Sequence, residues 1–190
     1  MNSAEMQNYT YADYLTWGDD VRYELIDGYA YVMESPSQRH QELLLEIAAR
    51  FRDFLKGKPC KVFIAPFDVR LNADSLDDIV VQPDLLIVCD KSKLDGKSVT
   101  GAPDMVMEIL STSNSRNKRH DTFVKFKLYQ KAGVREYWIV DPDENTVSVY
   151  ILENGKYFAA LYDETDIVSV HVLENCEINL KDVFEAVGEI

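Results

Sequence analysis

The sequence predicts one α/β domain, a mixed β-sheet flanked by helices, with a β-hairpin near its N-terminus. Three observations carry that expectation. Asp84–Cys89 and Met105–Leu110 are short apolar runs rich in Leu and β-branched residues, as expected of central strands buried on both faces. Residues 37–56 instead place Leu44, Leu45, Ala48, Phe51 and Leu55 at helical spacing, with Ser35-Pro36-Ser37 before them and Gly57 after. Asp27-Gly28 lies between two β-rich runs within Arg22–Met33, a strong hairpin signal.

The remaining elements follow in order. Thr10, with Asp13 three residues on, reads as an N-cap, so a short helix is expected over about 11–17, inside an N-terminal helical extension spanning 1–19 of the 190-residue domain. Cys60–Ala65 and Phe67–Leu71 read as strands, followed by a polar loop through Asp74, Asp77 and Asp78. A serine-rich stretch, Ser111–Ser115, leads to a helix expected near 118–131 and closed by Gly133. Arg135–Val140 and Thr146–Leu152 are expected strands joined by the turn Asp141–Asn145, and Glu153-Asn-Gly-Lys156 is a second hairpin turn. The tail alternates loosely and ends in a short helix after Asn179.

Composition narrows the class. A chain of 190 residues with 46% hydrophobic content suits a single core. No apolar run is long enough to span a bilayer, so no membrane association is expected. The opening Met1-Asn2-Ser3-Ala4-Glu5 lacks the basic and apolar regions of a secretion signal, and the expected location is cytoplasmic. Cys60, Cys89 and Cys176 are few and far apart, which reads as reduced thiols in apolar surroundings. The formal net charge of −13 argues against a protein that coats nucleic acid. Residues 116–135 nevertheless hold seven basic side chains and one acid, a net of +6 within a chain that is otherwise at −19. A polyanion would dock there, on Arg116, Lys118, Arg119 and Lys131; the plainer reading is a solvated helix face.

Asp84, after Val81-Gln-Pro83, and Glu108, in Met107-Glu-Ile-Leu110, are acids within apolar strands. Such acids are rarely buried without a partner. At neighbouring strand ends the two could share a divalent cation; alternatively Asp84 caps a turn and Glu108 pairs with a basic side chain. Asp121, Lys125 and Tyr129, at i, i+4 and i+8, share a face of the helix that follows the Glu108 strand. That face could bring an ammonium group to the carboxylates, whereas Lys127 lies about 200° around the helix from Lys125. The alternative is a surface pair between Asp121 and Lys125. With only His40, His120 and His171 present, a histidine metal cluster is not expected, and Ser111 and Ser113 have no evident base beside them.

These residues resemble the Uma-two family, described as restriction endonucleases of the PD-(D/E)XK nuclease superfamily. The N-terminal half is similar in Tyr23-Glu24-Leu-Ile-Asp27-Gly28, Ser35-Pro36 with His40, and Phe67-Asp-Val-Arg70-Leu71. The C-terminal half is similar in Pro83-Asp84, Pro103-Asp104-Met-Val-Met-Glu108-Ile-Leu-Ser111, and the block from Asp121 through Lys125, Tyr129 and Gly133 to Trp138, Asp141 and Pro142. The resemblance spans about residues 20–155. It implies a restriction-endonuclease-like mixed β-sheet and a Mg²⁺- (or Mn²⁺-) dependent endonuclease acting on DNA. Asp84, Glu108 and the Ile109 carbonyl would hold the metal, and Lys125 would serve the nucleophile. The sequence departs from the superfamily pattern at Leu110, where a lysine is expected, and this points to Lys125 on the next helix. Glu24 is a fourth candidate, as an outer metal ligand or water-holder; its plainer reading is an exposed strand residue. A homodimer is expected, because one small site cuts one strand. The competing reading is a non-catalytic nucleic-acid-binding or assembly protein that retains the nuclease fold.

Overall fold

Strand pairing sorts most of the chain into two sheets. The computed structural model describes residues 8–18, 20–111 and 120–188, the side chains of 120–122 excepted. In chain order the elements are α1 (Tyr11–Tyr14), β1 (Tyr23–Ile26), β2 (Tyr29–Val32), α2 (Gln38–Phe54), β3 (Lys61–Ile64), β4 (Asp68–Arg70), β5 (Val80–Val81), β6 (Leu85–Val88), β7 (Ser98–Thr100) and β8 (Met105–Ile109). A π-helical segment, His120–Lys125, then runs into α3 (Phe126–Ala132). The remainder is β9 (Glu136–Asp141), β10 (Thr146–Glu153), β11 (Lys156–Tyr162), β12 (Ile167–Ser169), β13 (Glu177–Asn179) and α4 (Leu180–Val187).

The larger sheet has the order β11-β10-β9-β8-β6-β3, with β8 and β9 parallel and the other pairs antiparallel. The second is β2-β1-β5-β4-β7, with only β4 and β7 parallel. β12 and β13 form a separate ribbon. The α/β class with mixed sheets and flanking helices is as expected. The division into two sheets was not, because β5 and β7 are two and three residues long, too short to show a periodicity.

The side-chain alternation of the central strands builds two cores. Leu85 and Ile87 of β6, with Met105, Met107 and Ile109 of β8, pack beneath α2 and α4. Leu86, Val88 and Val106 face the opposite way, toward α3 and the second sheet, where Leu128, Tyr129, Val69 and Val81 meet them. Glu108 has the parity of Val106 and Leu110 and therefore leaves β8 toward α3. Each fully buried Leu or Ile in these layers contributes about 1.5–3 kcal/mol as an upper estimate.

Turn chemistry follows the sequence closely. Asp27 and Gly28, at φ 49° and 78°, close β1 onto β2 with Ile26 opposite Tyr29, and Asn154-Gly155 does the same for β10 and β11. Gly28 also meets Asn8, whose Cα lies 3.1 Å from where a Cβ would stand.

Four expectations need correction. The face that α2 buries is Leu43, Leu44, Ile47 and Phe51, while Leu45 is 69% exposed. The first helix stops at Tyr14, one turn after its Thr10–Asp13 cap. The loosely alternating tail contains a full strand, β11, at the sheet edge. Cys60 and Cys89 are not reduced thiols: they form a disulfide, and only Cys176 among the described residues is a free, buried thiol. The register explains the pairing, since Lys61 opposes Val88 and the two cysteines are the next residues out on antiparallel strands. Closing a separation of 29 residues is worth about 3–4 kcal/mol on chain-entropy grounds.

Candidate active site

The start of β6, the end of β8 and one face of β1 converge on a cleft of about 550 Å³, walled on one side by the β2–α2 connection. Asp84 stands immediately before β6, after Pro83. Its Oδ2 accepts the Ile109 backbone N–H at 2.7 Å and the His40 Nε2–H at 3.0 Å. Ile109 ends β8, so its N–H is turned toward Asp84, and the C=O of a strand residue leaves on the same side as its N–H.

Glu108 is 4% exposed, and its Oε1 accepts both Lys125 Nζ at 2.9 Å and Tyr129 Oη at 2.8 Å. Lys125 closes the π-helical segment and Tyr129 lies one turn on in α3, so both donors come from one helical face. Leu110 fills the same side of β8 as Glu108 with apolar volume, and the ammonium arrives from the helix instead. Lys127 points elsewhere: it is exposed and stacks over Phe123. Burial, and then the charge of Glu108, push the Tyr129 hydroxyl well above the usual tyrosine range. It is therefore held as a protonated donor.

Glu24, in the middle of β1, is 4% exposed rather than a surface residue. Its Oε1 accepts Lys125 Nζ at 2.9 Å and the Gln82 backbone N–H at 2.9 Å. Lys125, 3% exposed, is thus bracketed by two buried carboxylates. As formal charges, Glu24, Asp84 and Glu108 against Lys125 leave a net of −2 in one cleft. Two acids at a strand-end cleft with a backbone carbonyl beside them are a hard oxygen donor set, suited to a divalent cation that keeps several of its waters. Among the described residues no group of three His, Cys, Asp or Glu side chains is placed to hold a metal, so the ion would also draw on the backbone carbonyl and on water.

The structure therefore brings together Glu24, Asp84, Glu108, Ile109 and Lys125. Lys131 is exposed late in α3 and does not line the cleft. Arg116, Lys118 and Arg119 lie outside the described residues, as does the Asp121 side chain. Of the rest of the basic island, Arg135 pairs with Asp104. Sequence reasoning gave no role to His40 or Gln82, which also line the cleft. The available signal for His40 was its place three residues after the cap Ser37, but nothing local connects it with Asp84, 44 residues away.

Two mixed sheets with flanking helices, and an acid-rich cleft that Lys125 enters, make this an α/β protein with a built polar site. The chain belongs to the Uma2 family, described as "Putative restriction endonuclease", whose model matches residues 11–181. It is similar to the uncharacterized protein slr1290 of Synechocystis, with 24% identity over 158 residues, 81% of this chain and 80% of that one. Its fold is similar to the crystal structure of a "putative nuclease belonging to DUF820" from Anabaena variabilis, with a TM-score of 0.75 and 21% identity, covering 94% of this chain and 99% of the other. No helix among the described residues is long and apolar enough to cross a membrane.

Proposed function

We propose that the protein is a metal-dependent endonuclease that hydrolyses phosphodiester bonds in DNA. The observation that carries the reading is the buried Glu24–Lys125–Glu108 bridge set beside Asp84 in one cleft. Desolvating three charges is costly, and a hydrophobic substitute of the same volume is often as stable. A purely structural account of these residues is therefore weak, and buried charge clusters set in a cleft mark functional sites.

In this reading Asp84, Glu108 and the Ile109 carbonyl would hold Mg²⁺ or Mn²⁺. When bound, such an ion supplies Lewis-acid stabilisation of phosphate charge and orients a water for in-line attack. Lys125 Nζ, an ammonium between Glu24 and Glu108, would position that water and offset the charge that develops on the phosphate, at the point where the superfamily lysine acts. Glu24 holds the same ammonium as Glu108, at the same 2.9 Å, and this second ion pair restrains Lys125 within the cleft. Tyr129 donates to Glu108 Oε1 and fixes the carboxylate plane. The exposed Lys131, with Arg116, Lys118 and Arg119, would steer the nucleic-acid backbone. A homodimer would place two such clefts on the two strands of a duplex, and the molar mass from sedimentation equilibrium in the analytical ultracentrifuge tests this.

The direct experiment incubates the protein with supercoiled plasmid, linear duplex, single strands and RNA, in Mg²⁺ or Mn²⁺, beside Asp84→Ala and Lys125→Ala. The expected result is metal-dependent cleavage of DNA by the parent protein and none by either variant. Cleavage that survives both substitutions sinks the site assignment, and no cleavage of any substrate favours a binding role for the fold.

A further inference from the structure

We propose that His40 is a positioning residue for Asp84, pinning Oδ2 through its Nε2–H so that the carboxylate's other oxygen, Oδ1, is presented to a divalent cation. The proposal rests on the metal-dependent reading of this cleft and gives α2, which supplies no ligand, a part in building it.

Two donors converge on one oxygen. Ile109 N–H at 2.7 Å and His40 Nε2 at 3.0 Å both meet Asp84 Oδ2. A carboxylate held at one oxygen from two directions cannot rotate about its own axis, and the orientation of a metal-binding carboxylate is set by such outer partners. The histidine is itself held. Its backbone N–H donates to Ser37 Oγ at 3.2 Å in the first turn of α2, and the residue is only 7% exposed.

The chemistry of the donor also fits. Asp84 can only accept, so the ring carries its proton on Nε2. Among the described residues His40 Nδ1, which is buried, has no hydrogen-bond partner. In this tautomer it is an acceptor lone pair, which a buried site tolerates better than an orphaned N–H. An imidazole N–H orders the carboxylate without placing a lysine or arginine charge on it, which would oppose a divalent ion. A residue present only to pack α2 against β6 would not need a donor at this atom.

The test compares Mn²⁺ binding, read from the electron paramagnetic resonance signal of free Mn²⁺, for the full chain and for Asp84→Asn, His40→Leu and His40→Gln, with thermal melts alongside. Removal of an outer partner lowers metal affinity about 10–100-fold, and that loss is expected for His40→Leu. His40→Gln restores most of it, because the Gln amide nitrogen overlays Nε2. Cleavage by His40→Leu should need correspondingly more Mn²⁺ for half-maximal rate while approaching the parent plateau. If His40→Leu does not fold, His40→Asn beside His40→Gln makes the same comparison, since the Asn amide nitrogen falls at the Nδ1 position. Loss of binding in Asp84→Asn with parent affinity in His40→Leu overturns the proposal and leaves the functional reading standing. Equal loss in the Leu and Gln variants overturns it as well, because the hydrogen bond is then not the cause. Parent affinity in Asp84→Asn removes the functional reading, and the proposal with it.

Discussion

Glu108 and Glu136 are both buried glutamates on the adjacent parallel strands β8 and β9, yet their surroundings differ in kind. Glu136, fully buried at the start of β9, accepts Trp138 Nε1–H at 2.7 Å and the Val172 N–H at 2.9 Å. These donors are neutral, and they tie the segment after β12 to the main sheet. Glu108, at the far end of β8, accepts a charged ammonium and a tyrosine hydroxyl and opens on the cleft. Burial is therefore not what marks an acid for chemistry. A directly bonded ammonium and access to a ligand-sized space separate the two, and Glu136 is a structural clip.

Several substitutions break or sharpen that comparison. The largest effect is expected from Lys125→Met, which leaves Glu24 and Glu108 as uncompensated buried charges and costs about 3–5 kcal/mol, read by urea denaturation. Adding Glu24→Gln and Glu108→Gln should recover much of that stability while cleavage stays absent; a Lys125→Met protein that is as stable as its parent would show the bridge to be weak. Next, Glu108→Gln should lower the cleavage rate by about 10²–10³ under saturating Mg²⁺, the scale of losing one preorganised charged group. The matching change, Glu136→Gln, should leave the cleavage rate unchanged and cost about 1–2 kcal/mol, or roughly 2–8 °C in Tm. Reversal of these two outcomes would falsify the division of roles.

The smallest effect is a pH dependence. Burial, opposed by its N–H donors, pushes the Glu136 carboxyl above the usual glutamate range. An acid whose folded value is raised binds its proton more readily in the native state, so its ionisation destabilises the fold as pH rises from the ordinary glutamate range through the raised folded value. The stability of Glu136→Gln relative to the parent should therefore be more favourable at pH 8 than at pH 4.5. A flat difference across that range removes the burial argument for Glu136.

Much of this architecture is legible in local chemistry. The Asp27-Gly28 and Asn154-Gly155 turns need residues that tolerate positive φ, and both are visible as dipeptides. Ser37 and Asn179 cap α2 and α4 through side chains that can be read from residue type alone. The helical phase of Lys125 and Tyr129 is also visible in the sequence, and it delivers both to Glu108. β11 was only partly legible: the Asn154-Gly155 turn announces a hairpin partner, but an edge strand exposed along most of its length alternates only weakly. The disulfide was hidden because it depends on the register of β3 against β6 rather than on spacing.

The sequence by itself determined where chain direction changes, which segments could be buried, and that Asp84, Glu108 and Lys125 were acids and a base in unusual company. Those are properties of a few neighbouring residues. Only the tertiary structure decided that Lys125 lies between two glutamates, that Glu24 is buried rather than exposed, and that His40 reaches Asp84. The physical reason is that each of these contacts joins separate strands and helices. Strand register and helix docking, driven by apolar burial across the whole domain, set the distances that charges then feel.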